Sequence, residues 1–229
     1  MRTKIRRPRR YPVLIGATIA LVAAMLSPVS PAAAGPADPE CNGFTESFAA
    51  SLGYLIYEGT PGNDTFIYTG ASAVWMRGGG GDDILQGGGG GDFLCGNDGD
   101  DTIDAGGGLD VALGGDGDDT ITLGAGDDFA EGGDDADTIR GNNGNDVIYG
   151  DLTSTPSSAV GADQLFGGQG DDELRGGPGA DTLQGNDGMD ALYGDDGIDD
   201  LTGGLDYDTG DGGNGVDTTC DVELATTCP

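Results

Sequence analysis

An aspartate returns every nine residues through most of this chain, and that phase limits what the chain can become. From Gly78 the sequence divides into GGGGDDILQ, GGGGGDFLC, GNDGDDTID, AGGGLDVAL, GGDGDDTIT, LGAGDDFAE, GGDDADTIR and GNNGNDVIY. From Gly167 it resumes as GGQGDDELR, GGPGADTLQ, GNDGMDALY, GDDGIDDLT, GGLDYDTGD and GGNGVDTTC. GTPGNDTFI precedes both blocks, from Gly59 to Ile67, and a unit ending GADQLF lies between them. The sixth residue of every unit is Asp. In the first block the fourth is Gly except at Asp135, and the eighth is Leu, Ile or Ala. With 48 Gly and 10 Pro, the composition approaches that of a low-complexity linker. A linker selected for polarity alone would not hold the phase, so the repeat is expected to fold.

Each unit reads as six turn residues followed by three strand residues. Glycine admits positive φ and close backbone approach, so GGxGx can bend tightly and aim carbonyls inward. The tripeptide after Asp is a very short strand, its middle residue on one face and its neighbours on the other. Two units make a coil of 18 residues with a strand on each side. Coils stack at the strand spacing of about 4.8 Å, and roughly eight give a rod about 40 Å long. The expected class is all-β, a parallel β-solenoid with two nonapeptides per coil. One sheet's inward residues would be Phe66, Leu85, Ile103, Ile121, Ile139, Leu165, Leu183, Leu201 and Thr219. The other's would be Leu94, Ala112, Ala130, Ile148, Leu174, Leu192 and Gly210.

The same stacking lines the aspartates along two edges. One edge carries Asp64, Asp83, Asp101, Asp119, Asp137, Asp163, Asp181, Asp199 and Asp217. The other carries Asp92, Asp110, Asp128, Asp146, Asp172, Asp190 and Asp208. Unscreened, such ladders repel: two unit charges 4 Å apart cost about 1 kcal/mol in water and about 4 at an effective dielectric of 20. A hard cation between coils reverses the sign of that interaction. Calcium fits, since it takes six to eight oxygens in flexible geometry and mixes carboxylates with carbonyls. Magnesium demands stricter octahedral geometry. The chain has no His and only four scattered Cys, which makes zinc and copper poor candidates. Neighbouring aspartates along the two edges offer at most about 14 ion positions. One aliphatic side chain per unit cannot offset the conformational entropy of nine glycine-rich residues. Calcium is therefore expected to supply the deciding free energy, with the metal-free chain largely unfolded.

Irregular spacing locates the breaks. Asp64 to Asp83 spans 19 residues, with an Asp-free turn near Gly70 to Ala73. Asp146 to Asp163 spans 17, and the extra residues fall in LTSTPSSAV, Leu152 to Val160, a surface-loop composition. Asp116 and Asp118 are expected in solvent.

The ends differ in composition. Arg2, Lys4, Arg6, Arg7, Arg9 and Arg10 are six of the nine basic residues. An uncharged, largely apolar run follows from Val13 to Leu26, and Ala32-Ala33-Ala34 offers a cleavage site before Gly35. Residues 1–34 thus read as a secretory signal peptide, cleaved on export, by the general or the twin-arginine route. The other reading, a membrane anchor, meets a run of 14 residues where a span needs about 20. The formal charge of −32 becomes −38 once the leader is gone. Such a surface repels nucleic acid and anionic membranes and draws cations. Export makes disulfides plausible. Cys41, Cys95, Cys220 and Cys228 allow three pairings, and spacing does not choose among them. Cys220 with Cys228 closes a short loop and is the favoured pair, leaving Cys41 with Cys95; free thiols are the alternative. Residues 35–58 form an N-terminal segment and cap, 59–220 the roll, and 221–229 a C-terminal cap, since solenoid ends need covering. In the first cap, Phe44, Phe48, Leu52 and Ile56 have helical spacing, while Tyr54 to Tyr57 is β-prone.

The unit G-G-x-G-x-D-x-U-x resembles the calcium-binding nonapeptide of RTX (hemolysin-type) proteins. The resemblance covers about Gly59 to Cys220. It implies a right-handed parallel β-roll with calcium in the turns, and the sixth-position aspartates above as acidic ligands. The pair GGGGGDFLC-GNDGDDTID, with its cysteine, is also similar to stand-alone secreted repeat proteins of high-GC Gram-positive bacteria. Many family members leave through a type I channel on a C-terminal signal, or form modules of toxins, lipases or proteases. Here the expectation is a stand-alone repeat protein with an N-terminal leader.

Other functions have less support. Without His there is no H-E-x-x-H site and no Ser-His-Asp triad. The one Lys, Lys4, is in the leader, so there is no phosphate-binding G-x-x-x-x-G-K loop. Doubled acids such as Asp118-Asp119 could imitate a glycosidase pair, but the repeat context favours a calcium ligand beside a solvated acid. The chain is therefore read as a non-enzyme, a secreted hydrolase being the less favoured reading. A calcium-rigidified adhesin or surface-structural protein with a cell-surface or polysaccharide partner stays open. The outward strand positions read as mixed, with no clear aromatic ladder for sugars. Trp75 could be a ligand contact or simple packing.

Overall fold

The computed structural model describes residues 46–151, 161–215, 217, 219–222 and 224–225. The leader, Cys41, Cys228 and the loop 152–160 lie outside the described residues. Among the described residues one helix, α1 (Glu46–Leu52), precedes twenty short strands. In chain order they are β1 (Leu55–Glu58), β2 (Thr65–Ile67), β3 (Val74–Gly80), β4 (Ile84–Gly88), β5 (Phe93–Asp98), β6 (Thr102–Gly107), β7 (Val111–Asp116), β8 (Thr120–Ala125), β9 (Phe129–Asp134) and β10 (Thr138–Asn143). There follow β11 (Val147–Tyr149), β12 (Gln164–Gln169), β13 (Glu173–Gly179), β14 (Thr182–Asp187), β15 (Ala191–Gly197), β16 (Asp200–Leu205), β17 (Thr209–Asp211), β18 (Asn214–Gly215), β19 (Thr219–Asp221) and β20 (Leu224–Ala225). No helix among the described residues is long and apolar enough to cross a membrane.

The chain alternates between two parallel sheets. Sheet one orders β1-β3-β5-β7-β9-β11-β13-β15-β17-β20, with β18 beside β15, and sheet two runs from β2 through the even strands to β16 and then β19. The all-β parallel solenoid read from the repeat is the fold. Its first strand is β1, whose Ile56 pairs with Trp75 of β3. The helical spacing from Phe44 to Ile56 therefore splits: α1 ends at Leu52, and Ile56 belongs to a strand.

The interior is two facing columns. Leu85, Ile103, Ile121, Ile139, Leu165, Leu183 and Leu201 stack in register on sheet two. Leu94, Ala112, Ala130, Ile148, Leu174 and Leu192 stack on sheet one. Together they form one buried cluster. Where sheet one's column narrows to Ala112 and Ala130, Ala105 and Leu123 of sheet two's strands join that cluster. They stand at the first position of units that elsewhere begin with Gly, and the interior uses their side chains to fill the gap.

The last coil departs from the expected phase. Leu201 pairs with Cys220, not Thr219, which sits opposite Asp200. A slip of one residue is the smallest change of register a strand can make, and it takes this strand out of the repeat's phase. At Gly210 the column has no side chain, and Val222 lies where a Cβ would be.

Sheet one also has apolar residues on its outer face, contrary to the mixed outer surface expected. Trp75, Phe93, Cys95, Val111, Leu113, Phe129 and Val147 form a second buried cluster with Ala49 of α1. The cause is positional: the residue after Asp is Phe, Val, Phe and Val at 93, 111, 129 and 147, all on sheet one. The same place on sheet two reads Thr102, Thr120, Thr138, Gln164 and Thr182. Trp75 is thus a packing residue.

Candidate metal centre

Each turn is built by glycine geometry that other residues rarely adopt. The second residue of the unit has positive φ, as at Gly115 (130°), and Asn97, Asn142, Asn186 and Asp195 take the same conformation at that place. Asn and Asp are the non-glycine residues that tolerate the left-handed region best. This explains GN and GD where GG is expected. Asp135 and Asp206, at the fourth position, also have positive φ, 75° and 77°.

The phased aspartates meet in two continuous ladders. Along the first edge the backbone N–H of Asp64 donates to Oδ1 of Asp83, Asp83 to Asp101, Asp101 to Asp119, Asp119 to Asp137 and Asp137 to Asp163. Asp163, Asp181 and Asp199 continue to Asp181, Asp199 and Asp217. Along the second edge Asp92 donates to Asp110, and so on through Asp128, Asp146, Asp172 and Asp190 to Asp208. Donor–acceptor distances run from 2.6 to 3.3 Å. In the Asp-free turn, Val74 N–H takes the aspartate's place and donates to Asp92 at 2.8 Å. The inserted loop does not interrupt the ladders, because Asp137 and Asp146 reach partners 26 residues ahead in place of 18. Its base is closed by Gly161 N–H donating to Asp151.

This bonding uses one carboxylate oxygen and strands the other. Oδ2 is buried without a hydrogen-bond partner in Asp83, Asp92, Asp101, Asp110, Asp119, Asp128, Asp137, Asp146, Asp163, Asp172, Asp181 and Asp190. Each of these residues is at most 2% exposed. The space beside Oδ2 is lined by more oxygen. A Cβ at Gly96 would overlap Asp101 Oδ2 and lie 2.6 Å from the Gly114 carbonyl of the next coil. Gly78 faces Asp83 Oδ2 and the Gly96 carbonyl in the same way, and Gly167 faces Asp172 Oδ2 and the Gly185 carbonyl. Oxygens of two coils therefore converge on a cradle that only glycine leaves open. Ala105 and Leu123 put side chains at this place in the units of Asp110 and Asp128. No three carboxyl, thiol or imidazole side chains gather at one point among the described residues. The donor set is one carboxylate per turn plus backbone carbonyls, which suits calcium and not a site made of side chains alone.

The electrostatics match. Burial pushes Asp119 up to about 8, Asp137 to about 9, and Asp146 and Asp163 to about 8, against the lowering effect of the N–H each accepts. Neighbouring acids on the ladder add to the rise. Near the ends burial is lighter, and Asp92 and Asp199 rise only to about 6. Two of the described cations are engaged elsewhere: Arg175 pairs with Asp195 at 3.1 Å, and Arg140 lies over the Phe166 ring. The first rung differs from the rest. Asp64 Oδ2 accepts from Thr60 N–H at 2.6 Å and Thr60 Oγ1 at 2.8 Å, so it closes its own turn.

A second ladder went unnoticed in the sequence. Fifth-position residues run beside the first set and point the opposite way: Asp82 N–H donates to Asn63 Oδ1, Asp100 to Asp82, Asp118 to Asp100 and Ala136 to Asp118. On the other edge Asn145 donates to Asp127, Asp171 to Asn145 and Met189 to Asp171. Asp118 is exposed, as expected, yet it bonds the next coil. The signal was the Asn or Asp immediately before the phased Asp in these units.

A search of the curated proteins returned no match. Four copies of the RTX calcium-binding nonapeptide repeat match residues 58–94, 96–130, 124–152 and 159–190. The matched segments cover more than half the chain and share the glycine turns and stacked aspartates described above. The chain belongs to the RTX calcium-binding nonapeptide repeat family.

Proposed function

We propose that this is a secreted protein whose roll folds as calcium enters between stacked turns. The carrying observation is the row of buried, unpartnered Oδ2 atoms facing glycine carbonyls. An oxygen-lined cradle that contains no donor calls for a cation. The sixteen phased aspartates, Asp64 through Asp217, are the proposed acidic ligands, with at most about 14 ions between them. Asp64, spent on Thr60, and Asp110 and Asp128, crowded by Ala105 and Leu123, are the weakest members. When bound, calcium supplies charge neutralisation and cross-links neighbouring coils. The protein's own part is to hold Oδ1 on the ladder and present Oδ2. No catalytic role is assigned. Export by the leader, removal of residues 1–34, and the pairs Cys41–Cys95 and Cys220–Cys228 belong to the same proposal.

Circular dichroism of the exported protein, titrated with calcium from chelator, tests the coupling. A coil spectrum that turns to strand as calcium rises is expected. An already folded spectrum in chelator would sink the coupling.

A second reading is a calcium-rigidified adhesin. It is favoured by Tyr193 on the outer face, with the Arg175 guanidinium 4.8 Å from its ring centroid. Binding to cell-wall material in calcium, lost on chelation, would select it. Turnover of a polysaccharide or ester would select a hydrolase.

A further inference from the structure

The middle of sheet two is chemically unlike the rest of this acidic chain. Its strands β8, β10, β12 and β14 read TITLGA, TIRGNN, QLFGGQ and TLQGND, with one acid, Asp187, and one base, Arg140. On sheet one, β7, β9, β13 and β15 each carry at least one acid. Where the sheet-two strands run into their turns they line a groove of about 630 Å³. Its polar residues are Asn142, Asn143, Gln169, Asn186 and Asp187, all exposed, over a floor that includes Gly124 and Gly168. Small-ligand sites commonly measure about 300–1,000 Å³. Two register columns make up the lining. One alternates Gly124, Asn142, Gly168 and Asn186, and the other runs Asn143, Gln169 and Asp187. Positive φ accounts for Asn142 (74°) and Asn186 (80°). It does not account for Asn143 and Gln169, which lack that conformation. Their column begins with Gly107 and Ala125, so the backbone does not require an amide there.

We propose that this groove binds a neutral, extended polysaccharide laid across the strands. A chain of net charge −32 repels anionic glycans, and the groove is the place where that repulsion is weakest. Sugar hydroxyls both donate and accept, and each Asn or Gln amide offers a donor and an acceptor in one group. Asp187 adds an acceptor. Asn186 Nδ2 donates to the Gln184 carbonyl at 3.2 Å, which holds its amide in place. From Gly106 to Asn186 the groove crosses four strand spacings, about 19 Å. An extended pyranose chain advances by about one strand spacing per ring, so about four rings fit. In a 1,4-β-linked chain successive rings turn over, and a like face recurs at every second ring. Asn142 and Asn186, with Gly168 between them, recur at every second strand. Phe166 stands two residues before Gly168 on the same strand face and borders the groove. The Arg140 guanidinium lies 5.1 Å from its ring centroid. The ring offers a flat apolar surface to sugar C–H groups, and the guanidinium offers N–H donors. The site rests on the folded roll, and it lies on the opposite sheet from Tyr193.

Isothermal titration of the exported, calcium-loaded protein with cellohexaose and with chitohexaose tests the site. Binding of at least one is expected, and a polygalacturonate oligomer, which is anionic, should bind far more weakly. Asn143→Ala combined with Gln169→Ala should weaken hexasaccharide binding at least tenfold, and Phe166→Ala severalfold. The calcium midpoint and circular dichroism should stay unchanged in both. Binding of neither hexasaccharide, or equal binding by the double variant, overturns the site. Loss of binding on Tyr193→Ala alone keeps the adhesin reading but moves its ligand to sheet one, which also overturns the site. A doubled mass in sedimentation that the double variant abolishes assigns the groove to a second copy of this chain, with the same consequence. Should the variants fail to fold, nuclear magnetic resonance of the isotope-labelled parent decides. Hexasaccharide should shift the side-chain amide signals of Asn143 and Gln169, and shifts confined to other residues defeat the proposal. Failure of calcium-coupled folding shows separately, as a dichroism spectrum unchanged on calcium addition. The same titrations then apply to the roll already folded in chelator.

Discussion

The backbone N–H of Asp101 donates to Oδ1 of Asp119 at 2.7 Å, and Asp119 N–H donates to Oδ1 of Asp137 at 2.9 Å. Each aspartate is thus both donor and acceptor in its ladder, and its second oxygen is left for something else. Asp119→Asn separates the two jobs. The amide keeps an oxygen for the Asp101 N–H and offers an NH2 group toward the glycine carbonyls. In calcium the variant should lose one or two ions by isothermal titration, and its folding midpoint should move to severalfold higher calcium. In chelator it should be more folded than the parent by about 1–3 kcal/mol, the range for relieving an unsatisfied buried polar group. A variant weaker than the parent in both conditions contradicts this division of labour.

The cradle depends on a missing Cβ. Gly96→Ala would drive a methyl group into Asp101 Oδ2 and the Gly114 carbonyl. It should remove an ion and lower calcium-loaded stability by about 1–3 kcal/mol, the cost of overpacking. Gly62 has no neighbour within 4 Å of an added Cβ. Gly62→Ala should be neutral or stabilising by up to about 1 kcal/mol through the unfolded chain. Thermal melts of the two in calcium give the comparison.

The raised aspartates predict how metal-free folding depends on pH. Asp119, Asp137, Asp146 and Asp163 rise from 3.8 to about 8 or 9 in the folded roll. The folded state therefore binds more protons than the unfolded chain between those values. Their stabilising contribution is full below about 4 and is lost progressively as pH climbs through about 8 to 9. In chelator, acidification from about pH 8 to about pH 5 should increase strand dichroism, a proton on Oδ2 standing where the cation would. In calcium the same change should raise the calcium midpoint by competition. A chelated chain equally unfolded at both pH values speaks against the buried ladder.

The inserted loop should be dispensable. Asp137 and Asp146 span it with hydrogen bonds of 2.9 and 2.8 Å, and the interior column passes from Ile139 to Leu165 in register. Removing Leu152 to Ala159 restores a spacing of 18 residues. Closing a shorter loop changes the entropy cost by less than about 1 kcal/mol. Calcium titration and melting temperature should shift little, and loss of calcium-coupled folding would show that the loop carries part of the roll.

The repeat phase by itself determined which residues stack. A coil of constant length brings residue 101 over 83 and under 119, so both aspartate edges and the interior columns were legible from the spacing. Tertiary structure decided three further things. The direction of bonding between parallel coils decided that Oδ1 is spent and Oδ2 stranded, and that fifth-position residues run a reverse ladder. Strand pairing decided the last register, where Cys220 and not Thr219 stands opposite Leu201. The outer apolar column at Trp75, Phe93, Val111, Phe129 and Val147 emerged only when alternate units were sorted onto two sheets. In the linear repeat those residues alternate with threonines and read as mixed. Burial on an outer face depends on what lies across it, and that contact is remote in sequence from the unit that makes the strand.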